Sequence, residues 1–200
     1  MPMDNTLLER NLAHMAKRFP ALAARISRTR GDGTYAGIKT ARNGSPVPIA
    51  ASGTAYNSLY DPEREAVQTI SAITSPAFCL FAGTGGAFHI CEFVRRFPGS
   101  PCVLAESGYP AFRSLLETVD IRDLVDNPDI FLIPDCSSTD EMSLISRLYL
   151  PSLHGDFRLI PLRSWQDAHV QTCRTLEALA QTELAKVSAD YSVQAHFGRV

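Results

Sequence analysis

The sequence predicts an α/β fold: a Rossmann-like parallel sheet with flanking helices, preceded by a small helical and β-hairpin N-terminal region. Three observations carry this prediction. Phe78-Cys79-Leu80-Phe81-Ala82 is an unbroken apolar run, as expected for a strand buried on both faces. It leads into Gly83-Thr84-Gly85-Gly86 and then a helical pattern from Phe88 to Phe97, which together read as strand, tight turn and helix. Three more apolar strands then alternate with helical segments, the pattern of βαβ units joined by right-handed crossovers.

In chain order, residues 5–28 read as helix, with Leu8, Leu12, Met15, Phe19, Leu22 and Ile26 recurring at spacings of three and four. Pro20 breaks or kinks that helix after Phe19. Arg30-Gly31-Asp32-Gly33 closes it; a helix-to-strand turn explains this Arg-Gly-Asp tripeptide without any partner. Residues 35–41 and 47–51 read as two strands joined through Asn43-Gly44, whose tolerance of positive φ suits a hairpin. Asp61 as N-cap and Pro62 as first helical residue open a helix over 62–74. After the glycine turn come a strand over 102–106, a helix over 110–126 and a strand over 130–133. Ser138 to Glu141 reads as a capping box opening a helix through Leu150. A strand over 157–162 follows, and the tail from Ser164 has no Gly or Pro before Gly198, one long helical pattern. Three regions result: helices and hairpin over 1–60, the Rossmann-like domain over 61–163, and over 164–200 a connecting helix toward a further domain.

Composition narrows the functional classes. The 200 residues carry a formal net charge of −2, which gives no footing for a nucleic-acid binder. No apolar run approaches membrane-spanning length and the first ten residues do not read as a signal peptide, so a cytoplasmic protein is expected. The five cysteines lack CxxC spacing and sit in apolar patterns, which reads as reduced core thiols. No metal site is expected: His169 and Cys173 share a helix face at i, i+4, but no third ligand is evident.

The candidate ligand-binding residues are Gly83, Thr84, Gly85, Gly86 and Glu106. Glu106 ends the second strand of the alternation, 23 positions after Gly83, where a nucleotide-binding unit places an acid on a ribose diol. Phe88 stands where a dinucleotide fingerprint needs a small residue, and the chain has no GK[ST] for a P-loop. A sugar nucleotide or S-adenosylmethionine fits such a turn better. No Ser-His-Asp order or paired-carboxylate signature stands out, and no residue is assigned as catalytic.

One segment adds a family resemblance. Asn57-Ser58-Leu59-Tyr60-Asp61-Pro62-Glu63-Arg64-Glu65-Ala66 resembles the S-x-Y-D-P-x-x-E-A segment of the motility-accessory-factor (Maf) proteins, where it precedes a strand and a Gly-rich turn. The leading helix around Asn11-Leu12, the hairpin from Tyr35 to Gly44 and the terminal stretch from Ala189 to Gly198 are also similar. The resemblance covers nearly the whole chain as the region ahead of the family's MptE-like core, which would begin near Tyr191. It implies a bacterial cytoplasmic glycosyltransferase that moves a nonulosonic sugar from a CMP-activated donor (CMP-nonulosonate) to flagellin Ser or Thr before export. The turn departs from the family pattern, with Gly-Thr-Gly-Gly in place of Gly-x-Gly followed by an aromatic residue. The resulting expectation is an N-terminal accessory or binding domain that is not active alone, its partners being flagellin and a nucleotide-sugar donor. The alternatives are an S-adenosylmethionine-dependent methyltransferase-like domain and a non-catalytic Rossmann-like scaffold.

Overall fold

The structure, a computed structural model, describes the backbone of residues 6–197 and the side chains of residues 6–189. The chain enters through α1 (Leu7–Arg18) and α2 (Pro20–Arg28), broken at Phe19 where Pro20 cannot supply the next backbone donor. Thr6 and Glu9 form a reciprocal capping box on α1. An antiparallel hairpin follows, β1 (Gly37–Thr40) and β2 (Pro46–Ile49), with Ile38 opposite Pro48. Next is α3 (Pro62–Ser71), whose N-cap Asp61 accepts from the Arg64 N–H at 2.9 Å.

The alternating part then runs β3 (Ala77–Ala82), α4 (Phe88–Arg96), β4 (Cys102–Ala105), α5 (Tyr109–Thr118), α6 (Arg122–Asp126) and β5 (Ile130–Ile133). Three short helices, α7 (Thr139–Met142), α8 (Leu144–Leu148) and α9 (Pro151–His154), lead to β6 (Asp156–Pro161). The chain finishes with α10 (Arg163–Ala168) and α11 (Val170–Phe197). The segment from Tyr191 onward, where the family resemblance places the start of a following core, lies outside the residues whose side chains are described.

The four strands β3 to β6 form one parallel sheet in the order β5-β4-β3-β6. Every residue of β3 and β4 is buried, which is why these strands carry no polar alternation. From β3 the chain steps outward to β4 and β5, then returns to place β6 on the other side of β3. The strand order therefore reverses between β3 and β6, and in open α/β sheets the crevice outside the carboxyl ends at such a reversal is where ligands lie. One hydrophobic cluster runs through the molecule, from Met15 of α1 through the sheet to Val187 of α11. Four cysteines belong to the buried core and Cys91 is exposed on α4. No described helix is long and apolar enough to cross a membrane.

Three expected helices differ from the structure. The helix over 110–126 divides into α5 and α6, with Val119 extended between them. Asn11 of α1 holds that break: its amide donates to the Leu116 and Val119 carbonyls, both at 2.8 Å, and its oxygen accepts from the Ile121 N–H at 3.2 Å. Asn11 is fully buried with every polar atom used, so the interruption is a tertiary contact. The helix over 138–150 opens as expected, with Ser138 accepting from the Glu141 N–H, but divides into α7 and α8 and ends before Pro151. The Glu141 carboxylate does not return to Ser138; it accepts from the Asp135 N–H and the Tyr109 hydroxyl. The tail divides at His169, separating α10 from α11.

Candidate functional site

The glycine turn lies at the carboxyl end of β3. Gly83 (φ 81°) and Gly85 (φ 53°) occupy the left-handed region, and Ala87 (φ 64°) joins them as the N-cap of α4. The space in front of the two glycines is filled by the chain itself. A Cβ on Gly83 would lie 2.3 Å from the Trp165 indole, and one on Gly85 would lie 2.5 Å from the Leu162 side chain. The missing side chains therefore admit Trp165 from α10 and Leu162 from the loop after β6.

Each backbone donor of the turn has a partner within the chain. Thr84 N–H donates to Glu106 Oε1 at 2.8 Å, Gly85 N–H to the Tyr35 hydroxyl at 3.1 Å, and Gly86 N–H to Asn57 Oδ1 at 2.8 Å. Glu106 is fully buried at the end of β4. Its Oε1 also accepts from the Tyr35 hydroxyl at 2.7 Å, and its Oε2 accepts from Trp165 Nε1 at 3.2 Å. Tyr35 stacks on Tyr56 with ring centroids 4.7 Å apart, closing the space on the hairpin side. The structure thus brings all five expected residues together: Gly83, Thr84, Gly85, Gly86 and Glu106.

The electrostatics follow from this burial. Loss of water pushes the Glu106 carboxyl above its ordinary value, against the opposing pull of the Tyr35, Thr84 and Trp165 hydrogen bonds. Burial first, and the neighbouring Glu106 charge second, raise the Tyr35 phenol well above its usual value. Tyr56 is pushed up to about 12 for the same two reasons. The arrangement holds one dry acid among hydroxyl, amide and indole donors.

Tyr35, Asn57 and Trp165 were absent from the expected site. Asn57 lies inside the segment that carries the Maf resemblance, and Trp165 is the chain's single tryptophan; neither fact assigns them to a glycine turn more than twenty positions away. Among the described residues no cluster of His, Cys, Asp and Glu has the arrangement to hold a metal ion.

This geometry defines a Rossmann-like α/β unit whose glycine turn is packed from within. No family model matches the chain. Its fold is similar to the structure of the Maf glycosyltransferase from Magnetospirillum magneticum AMB-1, with a TM-score of 0.55 over 85% of this chain and 35% of that one. At 11% identity the likeness is one of fold, and the chain spans about a third of that structure's length. The chain thus has a Maf-glycosyltransferase-like fold. Over 77 residues, 38% of the chain, it is also 29% identical to an uncharacterized protein of Treponema pallidum (strain Nichols), covering 88% of that protein.

Proposed function

We propose that the chain is an N-terminal accessory or binding domain of a Maf-type glycosyltransferase, acting where a CMP-activated nonulosonic sugar is transferred to flagellin hydroxyls. The observation that carries this reading is the fold likeness to a Maf glycosyltransferase over 85% of the chain. The Asn57–Ala66 segment supports it from the sequence side through its resemblance to the family's segment, and in the structure it caps α3 and supplies Asn57 to the glycine turn. The turn itself favours a supporting over a catalytic role. Its three N–H donors and both oxygens of Glu106 are bound by groups of this chain, in a dry, buried network.

The same network weakens the S-adenosylmethionine reading. A ribose diol on Glu106 would have to replace Tyr35, Trp165 or the Thr84 amide, and each replacement would strand a buried polar group at a cost of roughly 1–3 kcal/mol. The scaffold reading, a nucleotide fold that no longer uses its glycine turn for a ligand, is favoured by those same bonds. It differs from the accessory-domain reading only in whether the chain binds anything.

Purified flagellin and a CMP-nonulosonate test the proposal directly. With this chain alone, the flagellin mass is expected to stay unchanged while flagellin or the donor binds in an equilibrium assay. A mass gain matching the sugar would show that the chain is itself a transferase. Binding of neither component would leave the scaffold reading.

A further inference from the structure

A cavity of about 340 Å³ opens on the other side of β3, at the strand-order reversal between β3 and β6. Its walls come from the loop after β6, from the Asn57–Ser58 segment, from Glu65 and Thr69 of α3, and from the first turn of α4. This is the crevice where open α/β sheets place ligands, and unlike the glycine turn it is not filled by the chain.

The groups on its walls define what it can take. His89 is 3% exposed; neither ring nitrogen makes a close, well-aligned hydrogen bond among the described residues, and the Gly83 backbone is the hydrogen-bonding group that acts on the ring. With Gly83 serving one side of the ring, one nitrogen is left for a further partner, which a buried polar atom ordinarily has. Burial holds His89 down to about 4, so it is neutral at physiological pH and offers one donor and one acceptor. Arg163 and Asp167, on the α10 wall, have no hydrogen-bond or ion-pair partner among the described residues. Glu65 uses Oε2 to accept from the Ser58 N–H and the Asn57 amide, leaving Oε1 toward other partners. The lining therefore holds two carboxylates, one guanidinium and one neutral imidazole.

The carboxylates need donors, the guanidinium needs acceptors, and the imidazole needs one further partner. A hydroxyl meets all three demands, since it both donates and accepts. The excess of one negative charge opposes phosphate and carboxylate ligands. The volume lies at the small end of the roughly 300–1,000 Å³ usual for ligand sites. We infer that this cavity binds a neutral, hydroxyl-rich ligand of the size of one sugar residue, held by Arg163, Asp167, Glu65 and His89. A second cavity of about 270 Å³, sharing Tyr56, Ser164 and Asp167, continues the groove toward the hairpin. The inference rests on the donors and acceptors of the cavity and stands or falls apart from the flagellin reading.

Titration calorimetry on the whole chain tests it, using glucose, galactose and N-acetylglucosamine as neutral probes and CMP and N-acetylneuraminic acid as anionic ones. At least one neutral sugar is expected to bind saturably, and both anions at least about tenfold more weakly. Arg163→Ala and Asp167→Asn, exposed positions whose loss leaves the core intact, are each expected to weaken that sugar about tenfold, in line with a lost charged hydrogen bond. His89→Phe should do the same from the buried side; if it does not fold, the two surface variants still decide. Saturable binding of no neutral sugar, tighter binding of either anion, or neutral-sugar binding unchanged in both surface variants would overturn the assignment. A negative result here leaves the flagellin mass test unaffected, so the two readings fail separately.

Discussion

The two sides of the β3 carboxyl end are built from opposite materials. On the glycine turn, Trp165 of α10, Tyr35 and Asn57 press onto the backbone, and Glu106 of β4 is bound by three donors of the same chain. Toward β6, Arg163 and Asp167 line open space with no hydrogen-bond or ion-pair partner among the described residues, beside the buried ring of His89. The difference shows that glycines after a buried strand do not by themselves mark a phosphate cradle. The missing Cβ atoms that would let a pyrophosphate approach let an indole approach just as well. Thr84 Oγ1 stays buried in the turn without a close partner among the described residues, and the other polar groups short of partners lie beside the turn, across Asn57 and Leu162.

The sealed side should resist substitution most strongly. Gly83→Ala places a methyl group 2.3 Å from Trp165 and asks an L-residue to hold φ 81°. Overpacking and left-handed strain together should cost about 2–5 kcal/mol, read as a lowered urea midpoint with an unchanged m-value. A midpoint close to wild type would mean that Trp165 does not occupy the turn. Tyr35→Phe is the next test. It removes one donor from Glu106 and the acceptor of the Gly85 N–H, and should cost about 1–3 kcal/mol. A loss below a few tenths would show that water reaches both groups.

Titration separates the two sides by sign. Glu106 binds its proton more tightly in the folded chain than in the unfolded one. Its contribution to stability is therefore present below the ordinary carboxylate value of 4.5 and is lost as pH rises through the raised folded value. His89 behaves in the opposite way. Its folded value is depressed from 6.5 to about 4, so its contribution is present above 6.5 and is lost as pH falls toward 4. Relative to wild type, Glu106→Gln should gain stability with rising pH, and His89→Phe should gain it with falling pH across that window. Unfolding curves at a series of pH values distinguish the two trends; parallel profiles for wild type and both variants would contradict the burial of these groups. The smallest effect belongs to Arg163→Ala, which should change stability by no more than about 0.5 kcal/mol, because the side chain is exposed and has no hydrogen-bond or ion-pair partner among the described residues. A larger loss would make Arg163 structural instead of ligand-facing.

Much of this architecture was legible from local pattern. The unbroken run before Gly83, the alternation after it, the break at Pro20 and the cap at Asp61 all depend on neighbouring residues, and each appears where local physics puts it. The closeness of Glu106 to the turn was legible as well, because strand ends and glycine turns have a fixed geometry in βαβ units. What escaped was non-local. Asn11 stops α5 from more than a hundred positions away, and the eventual partners of the turn, Tyr35 and Trp165, come from the hairpin approach and from α10. Nothing near Val119, Gly83 or Gly85 in the chain announces those contacts. The environment of Glu106 is the clearest instance: its position follows from spacing, whereas its partners follow only from packing.

The central claim, a glycine turn occupied by the chain's own groups, is tested most directly by amide hydrogen exchange at Thr84, Gly85 and Gly86. Hydrogen bonds to Glu106, Tyr35 and Asn57 predict protection at all three amides comparable to that of the β3 core, since opening them requires displacing buried side chains. Exchange at the rate of an open loop would contradict the claim and return the turn to the list of free ligand sites.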